Sequence, residues 1–320
     1  MLKFGIWTHE QYLKEDPARR RYCGARVSYA LLDVGTHPAP ELVQAFEDIS
    51  FTLRTTNGTF RTTFRNRFPD VNAAALDHMR RLWPVEAPLR VQDRASSHGL
   101  TSWEWAESLL PAFPNAELES SDLLQHFVRL TLATGETYIV EPDGKPLQYV
   151  KPPWVVGIHH SEPRRWPVNQ WIANRARARF EKLRLPAGWV ESNGGSGFTI
   201  DRIPYVHPEA LRFSETNPHL KFRERSVFDH TPGECDVIRT MNIFNKAYFS
   251  DQQLAAGVRA IHDSLKPGGL WIVGRTLEEV FANHATFLRR RNGGWEVLGR
   301  IGEGSEMEHL AMTGLTGSGA

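Results

Sequence analysis

The order of strand, loop and helix is clearest in the tract Val91-Gln92-Asp93-Arg94-Ala95-Ser96-Ser97-His98-Gly99. Leu89-Arg90-Val91 predicts a short strand, and residues 101–110 predict a helix with Thr101 and Glu104 at capping-box spacing. In an open α/β sheet, ligands bind beyond the carboxyl ends of the strands, so a loop at this position favours small residues. The tract therefore indicates an α/β fold with a ligand site after its first strand.

The loop in this tract resembles a nucleotide-cofactor loop in part. The pattern Asp/Glu-x-Gly-x-Gly-x-Gly aligns here with Asp93, Ala95, Ser97 and Gly99. Alanine and serine are small enough to let the chain approach a ligand, but neither tolerates a positive φ as glycine does. The alternative interpretation is an ordinary strand-to-helix turn built from small residues.

Two later tracts follow this loop in a fixed order. They are Cys235-Asp236-Val237-Ile238-Arg239-Thr240-Met241-Asn242 and Leu265-Lys266-Pro267-Gly268-Gly269-Leu270-Trp271-Ile272-Val273-Gly274. Together the three tracts resemble the first loop, the fourth motif and the Pro-Gly-Gly turn of class I S-adenosylmethionine (SAM) methyltransferases. The resemblance implies an α/β fold, a seven-stranded Rossmann-like sheet that ends in a carboxy-terminal β-hairpin at residues 286–301. It also implies SAM as the cofactor.

Residues 220–274 are most similar to the chemotaxis-receptor (CheR-type) methyltransferases within that class. Their fourth motif, Phe-Asp-x-Ile-x-x-Arg-Asn-Val-x-x-Tyr-Phe, is matched at Asp236, Ile238 and Asn242, and then by Tyr248-Phe249 after two extra residues. Met241 stands where that family has arginine. The likeness covers about half of the chain and implies the cofactor fold rather than the acceptor.

The resemblance also implies roles for individual residues. Asp93, Ala95, Ser96, Ser97 and Gly99 would form the cofactor loop, whose small residues contact the amino-acid end of SAM. Asp122 would hold the ribose, and Ser226 and Val227 would lie beside the adenine.

Asn242 would lie beside the methyl group, and Tyr248 would contact the acceptor. The alternatives are a helix cap for Asp122, a helix or turn cap for Asn242, and core packing for Tyr248.

Composition shifts along the chain predict three parts. Pro84 and Pro88 bracket a boundary between an amino-terminal lobe, residues 1–88, and a SAM-binding domain, residues 89–310. Residues 71–83 and 123–130 predict helices, and residues 222–228 predict a strand. Ser250 and Gln253 predict the capping box of a helix that begins at Asp251. Within the SAM-binding domain, residues 131–200 are expected to form an insertion with a β-hairpin and a basic helix. Residues 311–320 are rich in glycine and are expected to form a flexible tail.

Bulk composition restricts the partners that we expect. The net charge is +1, which argues against a nucleic-acid partner, and no apolar run is long enough to span a bilayer. Two distant cysteines and no apolar leader are typical of a cytoplasmic protein. Arginine clusters near residues 54–67 and 164–184 predict either solvated helix faces or an entrance for an anionic methyl acceptor.

His159-His160 has no third ligand at a metal-site spacing, so we expect no metal there. Two other functions stay open at this point. One is a catalytically silent SAM-fold binding or regulatory module, because two loop glycines are missing. The other is an NAD-type oxidoreductase, against which the Pro267-Gly268-Gly269 turn and the terminal hairpin argue.

Overall fold

The protein is described by a computed structural model that covers residues 4–20, 23, 26–159, 167–277 and 280–314. The chain forms two compact units, each assembled from two separate segments. Residues 64–123 and 210–320 form what we call the α/β unit, and residues 1–63 and 124–209 form what we call the antiparallel unit.

The α/β unit contains a mixed sheet with helices on both faces. Its helices are α4 (Pro69–Leu82), α5 (Leu100–Ala112), most of α7 (Pro208–Thr216), α8 (Asp251–Ser264) and α9 (Met307–Gly314). Its strands are β1 (Arg90–Arg94), β2 (Glu117–Asp122), β9 (Leu220–Glu224), β10 (Cys235–Met241), β11 (Leu265–Leu277), β12 (Ala282–Arg291) and β13 (Gly294–Ile301).

These seven described strands are ordered β13-β12-β11-β10-β1-β2-β9. The five strands from β11 to β9 are parallel, and β12 and β13 add an antiparallel hairpin at one edge. Strands β2 and β9 lie on one side of β1, and the later strands β10 and β11 lie on its other side. The predicted α/β fold, with a seven-stranded sheet and a carboxy-terminal hairpin, is confirmed.

Each face of this sheet carries its own apolar cluster. One face packs against α4 and α5 through residues such as Met79, Trp105 and Leu109, and the other packs against α8 through Leu254, Val258 and Ile261. Every residue of β10 is buried, as expected for a central parallel strand covered on both faces. A capping box formed by Ser250 and Gln253 begins α8 as the sequence predicts.

The antiparallel unit contains a second sheet and the remaining helices. Its strands are β3 (His126–Leu132), β4 (Thr137–Val140), β5 (Pro146–Lys151), β6 (Trp154–Gly157), β7 (Gly194–Gly195) and β8 (Phe198–Pro204), in the order β6-β5-β4-β3-β8-β7. Its helices are α1 (His9–Lys14), α2 (Pro17–Arg20), α3 (Pro40–Thr52) and α6 (Pro167–Phe180), with 3-10 turns at Tyr29–Leu32 and Trp189–Glu191.

This second sheet is also buried on two faces. Phe46 and Ile49 of α3 pack with Phe127 and Tyr205 on one face, whereas Ala173 and Ala176 of α6 pack with Tyr138 on the other. The hairpin β4-β5 and helix α6 agree with the β-hairpin and basic helix expected in this region.

Several local expectations need correction. Residues 123–130, interpreted as a helix, contain a turn and the beginning of β3, because apolar residues needed on both faces of a strand imitate helical spacing. The N-cap of α5 is Gly99, which makes no side-chain capping hydrogen bond. The capping box expected at Thr101 and Glu104 is therefore wrong. The strand expected at residues 222–228 ends at Glu224.

The boundaries of the two units differ from those of the three parts expected from the sequence. Helix α4, expected in an amino-terminal lobe that ends at residue 88, belongs to the α/β unit. The antiparallel unit combines residues 1–63 with residues 124–209, which include the segment expected as an insertion. Residues 311–314 of the expected tail lie in α9, and residues 315–320 lie outside the described part.

Among the described residues, no helix combines the length and the apolar composition that a bilayer crossing requires.

Candidate cofactor site in the α/β unit

The loop after β1 has an unusual backbone for its composition. Ala95, Ser97 and Gly99 have φ values of 60°, 58° and 79°, so all three are left-handed. These are the positions at which the cofactor-loop pattern has glycine. A left-handed conformation costs an L-residue roughly 1–2 kcal/mol. The loop therefore adopts a glycine-type path although two of its three glycines are absent.

Gly99 is required for a second reason, which is space. A Cβ atom at this position would lie 2.5 Å from the Phe222 ring and 3.2 Å from the Ser120 hydroxyl. The loop thus passes directly against β9 and β2, and the helix begins at once, with the Trp103 amide donating to the Gly99 carbonyl over 3.0 Å. Close packing against the Phe222 ring explains why residue 99 is glycine, whereas residues 95 and 97 have side chains.

Asp122 lies at the carboxyl end of β2 and is 3% exposed. Its carboxylate accepts a hydrogen bond of 2.8 Å from the amide of Ser97, and its carbonyl accepts one of 2.9 Å from the amide of Arg225. The expected helix cap at Asp122 is wrong, because β3 rather than a helix follows. The carboxylate instead holds the cofactor loop to the end of the neighbouring strand, at the edge where a ligand of this fold would lie.

A chain of buried hydroxyl groups forms the floor beneath the loop. The Ser96 and Ser120 hydroxyls are 2.8 Å apart, Ser120 donates to Ser102 over 2.9 Å, and Ser102 donates to Asp93 over 2.5 Å. The loop conformation therefore rests on a specific polar network under it, which fixes the backbone of Ser96 between the two left-handed residues.

Asp93 ends this network in a buried ion pair. Arg239 of β10 donates to both of its carboxylate oxygens, over 2.9 and 2.5 Å, and both side chains are at most 4% exposed. Arg239 also donates to Asn72 over 2.6 Å and lies over the Trp105 ring at 4.3 Å. Both carboxylate oxygens of Asp93 are therefore bonded to Arg239, and its expected contact with a cofactor stays a prediction.

The residues expected beside the adenine lie in a turn after β9. Ser226 is half-buried, its hydroxyl accepts from the Phe228 amide over 3.2 Å, and its carbonyl accepts from the Asp229 amide over 3.1 Å. Val227 is 7% exposed and packs in the apolar cluster with Ile238 and Phe244. The turn brings Ser226 to the carboxyl edge of the sheet. Val227 packs in the core, and its expected contact with adenine stays a prediction.

Asn242 lies at the carboxyl end of β10 with a left-handed φ of 60°. Its amide donates to the Gly274 carbonyl over 2.9 Å, and its side-chain oxygen accepts from the Thr276 amide over 2.7 Å. The alternative of a turn cap fits this use of the side chain. Tyr248 follows in a short loop and is 41% exposed, so the alternative of core packing for it is wrong.

Two further groups near this edge were not found by sequence reasoning. Arg94 is 2% exposed and donates to the Gln92 side chain, the Asp229 carbonyl and the Thr231 hydroxyl, and burial lowers its pKa. Glu104 accepts from the Asn66 amide over 2.7 Å, and burial raises its pKa. The available signals were a charged residue at the end of β1 and an acidic residue near the start of α5.

The remaining candidate positions belong to the antiparallel unit. His159 is buried and His160 lies outside the described residues, as do Arg164 and Arg165 of the basic cluster. On α6, Arg175 is exposed and stacks on Trp171 at 5.6 Å, whereas Arg177 donates to the Ile158 carbonyl. Part of this cluster is therefore a solvated helix face, and part of it stabilises the unit.

No protein-family model matches the chain, and no curated protein matches it. Solved structures to which it is similar include the SAM-dependent methyltransferase SibL, at 13% identity and a TM-score of 0.29 over 75% of this chain and 41% of that one. Geranyl diphosphate C-methyltransferase of Streptomyces coelicolor is 8% identical, with a TM-score of 0.29 over 64% of this chain and 46% of that one.

Phosphoethanolamine N-methyltransferase 2 of Haemonchus contortus is 12% identical, with a TM-score of 0.30 over 67% of this chain and 31% of that one. The chain spans less than half the length of each of these three proteins. Residues 64–123 and 210–314 carry the α/β fold of this protein, with a seven-stranded sheet and a terminal hairpin.

Proposed function

We propose that the α/β unit binds SAM and that the protein is a SAM-dependent methyltransferase. The observation that carries the proposal is the backbone of the loop after β1, which is left-handed at residues 95, 97 and 99. The amides of Ser96, Ser97 and Gly99 donate within the protein, so the support lies in the path of the chain. Left-handed residues in alternation with others bend the backbone into a concave turn that a small polar ligand can approach closely. The strand order reverses beside β1, where ligands of open α/β sheets bind.

The residues of this edge fit such a cofactor. Ala95 and Ser97 are half-buried, and their small side chains leave the loop backbone accessible to the amino-acid end of SAM. Asp122 supplies a carboxylate at the end of β2, where it can accept the ribose hydroxyls while it holds Ser97. Ser226 offers a polar contact in the turn after β9.

SAM, when bound, supplies a methyl group on a sulfonium that is already an excellent leaving group, so alignment of the acceptor matters more than a protein nucleophile. Asn242 contributes to this alignment through its backbone. Its side chain holds the start of the following loop to Thr276 of β11, which fixes the left-handed turn at the tip of β10. We therefore assign Asn242 a positioning role and keep Tyr248 as a contact to the acceptor.

The proposal for the methyl acceptor rests only on the positive charge of nearby arginines. Arg65 and Arg67 of the α/β unit lie in a stretch of the sequence, residues 54–67, that holds no acidic residue. An anionic acceptor suits this local positive charge. The net charge of +1 for the whole chain does not favour a nucleic acid.

Calorimetric titration with SAM and with S-adenosylhomocysteine tests the proposal. Asp122→Asn keeps an oxygen for the Ser97 amide but removes the charge, so we expect affinity to fall by roughly ten- to a hundredfold, the loss of a charge-assisted hydrogen bond. Asp77→Asn on the exposed face of α4 is the matched control and leaves affinity unchanged. A folded protein that binds neither compound would contradict the proposal.

The silent SAM-fold module is the second candidate, and one observation favours it. Ala95 and Ser97 place Cβ atoms along a path that glycines would leave open. Binding of S-adenosylhomocysteine, without transfer of a labelled methyl group from SAM to any acceptor of a small-molecule and peptide panel, would favour this alternative. Binding of a nicotinamide dinucleotide in its place would favour the oxidoreductase.

A further inference from the structure

A second cluster of chemically active side chains lies in the antiparallel unit and is independent of the cofactor site. Glu47 of α3, His207 after β8 and Glu209 in the first turn of α7 each offer a ligand atom, and these atoms all lie within 4.8 Å of one another. The three residues come from segments about 160 positions apart in the chain. Their convergence is therefore a product of the folded unit and not of local sequence.

His207 is the fixed member of the cluster. Its side chain is 0% exposed, its ring meets Phe46 edge-on with centroids 5.7 Å apart, and Nε2 lies 3.0 Å from Glu47 Oε1. Pro208 follows it and restricts its backbone to extended conformations. A metal site benefits from one ligand held rigidly by packing, because the other ligands then adjust around it.

The two glutamates are the adjustable members. Glu47 is 17% exposed and Glu209 is half-buried, so both side chains are partly accessible to solvent. Two carboxylates at this separation repel each other when both are ionised. A divalent cation between them would neutralise both charges and add a bond to the imidazole.

The donor set restricts the kind of cation. One imidazole nitrogen and two carboxylate oxygens suit a first-row divalent transition metal such as Zn²⁺, and the nitrogen disfavours Mg²⁺ and Ca²⁺. Zinc bonds of about 2.0–2.2 Å place the ligands of a tetrahedral site about 3.3 Å apart, so the cluster needs only a modest contraction through the flexible glutamates. Three protein ligands leave a fourth position for water or a bound anion.

We propose that Glu47, His207 and Glu209 form a binding site for one divalent transition-metal ion, with Zn²⁺ as the best match. The site belongs to the antiparallel unit and does not depend on the cofactor proposal. It does not include His159, and sequence reasoning missed it because its spacing includes only His207-Pro208-Glu209 as a local signal.

The test is a zinc titration of the full chain, stripped of metal by a chelator and free of a histidine tag, in competition with a fluorescent zinc indicator. We expect one Zn²⁺ per chain with micromolar or tighter affinity. Glu47→Gln and Glu209→Gln should each weaken binding at least tenfold. Glu191→Gln is the matched control, because Glu191 lies in the same unit and pairs with Arg202 at the surface.

X-ray absorption at the zinc edge provides the structural measurement. The first shell should contain one imidazole nitrogen and two carboxylate oxygens, and Glu209→Gln should lose one oxygen. His207→Ala removes a fully buried side chain and requires circular dichroism to check the fold, whereas Glu209→Gln keeps the test valid if that variant unfolds. Absence of stoichiometric zinc, or affinity that both glutamine variants leave unchanged, would overturn the proposal and leave only the hydrogen bond between His207 and Glu47.

Discussion

At residue 95 a methyl group occupies a backbone position that favours glycine, since Ala95 has a φ of 60°. Replacing it by glycine removes the left-handed strain of roughly 1–2 kcal/mol and adds an entropic cost of roughly 0.5–1 kcal/mol. We therefore expect Ala95→Gly to leave the free energy of unfolding unchanged or to raise it by up to about 1.5 kcal/mol. Urea denaturation measures the difference.

The same substitution in a helix is the matched control for that prediction. Ala73 is exposed within α4 of the same unit, and Ala73→Gly should lower the free energy of unfolding by about 1 kcal/mol. Equal losses for the two variants would mean that residue 95 is not left-handed in solution.

Two glycine-to-alanine variants separate the cost of a left-handed backbone from the cost of a steric clash. Gly99→Ala places a methyl group against the Phe222 ring at a φ of 79°, so we expect a loss of about 2–4 kcal/mol in stability and no detectable binding of S-adenosylhomocysteine. Gly293→Ala has a similar φ of 77° but meets no atom within 4 Å.

The Gly293→Ala variant should therefore lose only about 1 kcal/mol, which is the left-handed penalty, and should keep its affinity for the cofactor. Thermal unfolding and calorimetry measure the two effects separately. If both variants lose the same stability, the close approach of Phe222 is not what excludes a side chain at residue 99.

Among the strands of the α/β unit, β1 and β10 are joined by more than their backbone ladder. The Arg239–Asp93 pair connects them, and the same guanidinium reaches α4 through Asn72 and α5 through Trp105. Removal of one charge leaves the other buried without compensation, which typically costs about 3–5 kcal/mol. We expect Asp93→Asn to lose stability in that range in urea denaturation.

An exposed pair provides the comparison at this scale. Arg80 and Asp77 form an ion pair of 3.2 Å on the surface of α4, with both side chains more than half exposed. Asp77→Asn should change stability by less than about 1 kcal/mol, because solvent screens such pairs. A small effect of Asp93→Asn would indicate that the buried pair is not formed in solution.

The strand β3 shows why one element was misread. Phe127 packs in one core of the antiparallel unit, and Val128 and Leu130 pack in the other. A strand buried on both faces loses the alternation of apolar and polar residues that identifies strands in a sequence. In contrast, the capping box of α8 and the hairpin β12-β13 were predictable because their signals are local.

For the whole molecule, the two proposed ligands should act on different parts of the chain. S-adenosylhomocysteine should slow hydrogen exchange most strongly in peptides that cover residues 91–99 and 117–122, because ligand binding suppresses local opening where it contacts the chain. Zn²⁺ should do so most strongly in peptides that cover residues 44–50 and 205–212.

Exchange measured by mass spectrometry, with each ligand added alone, gives the comparison. Asp122→Asn and Glu209→Gln serve as the respective controls, and each should reduce protection by its own ligand only. Protection by S-adenosylhomocysteine confined to residues 124–209 would contradict the assignment of the cofactor site to the α/β unit.

The sequence by itself determined what depends on neighbouring residues: the strand, small-residue loop and helix at residues 89–112, the Pro-Gly-Gly turn before Leu270, and the terminal hairpin. Only the tertiary structure decided the contacts between residues that lie far apart in the sequence. Asp93 and Arg239 are 146 positions apart, and Glu47 and His207 are 160 apart. The left-handed backbone at Ala95 and Ser97 likewise depends on a serine network and on Asp122 from another strand. Periodicity and turn signals encode short-range preferences, whereas these contacts exist only because packing brings separate segments together.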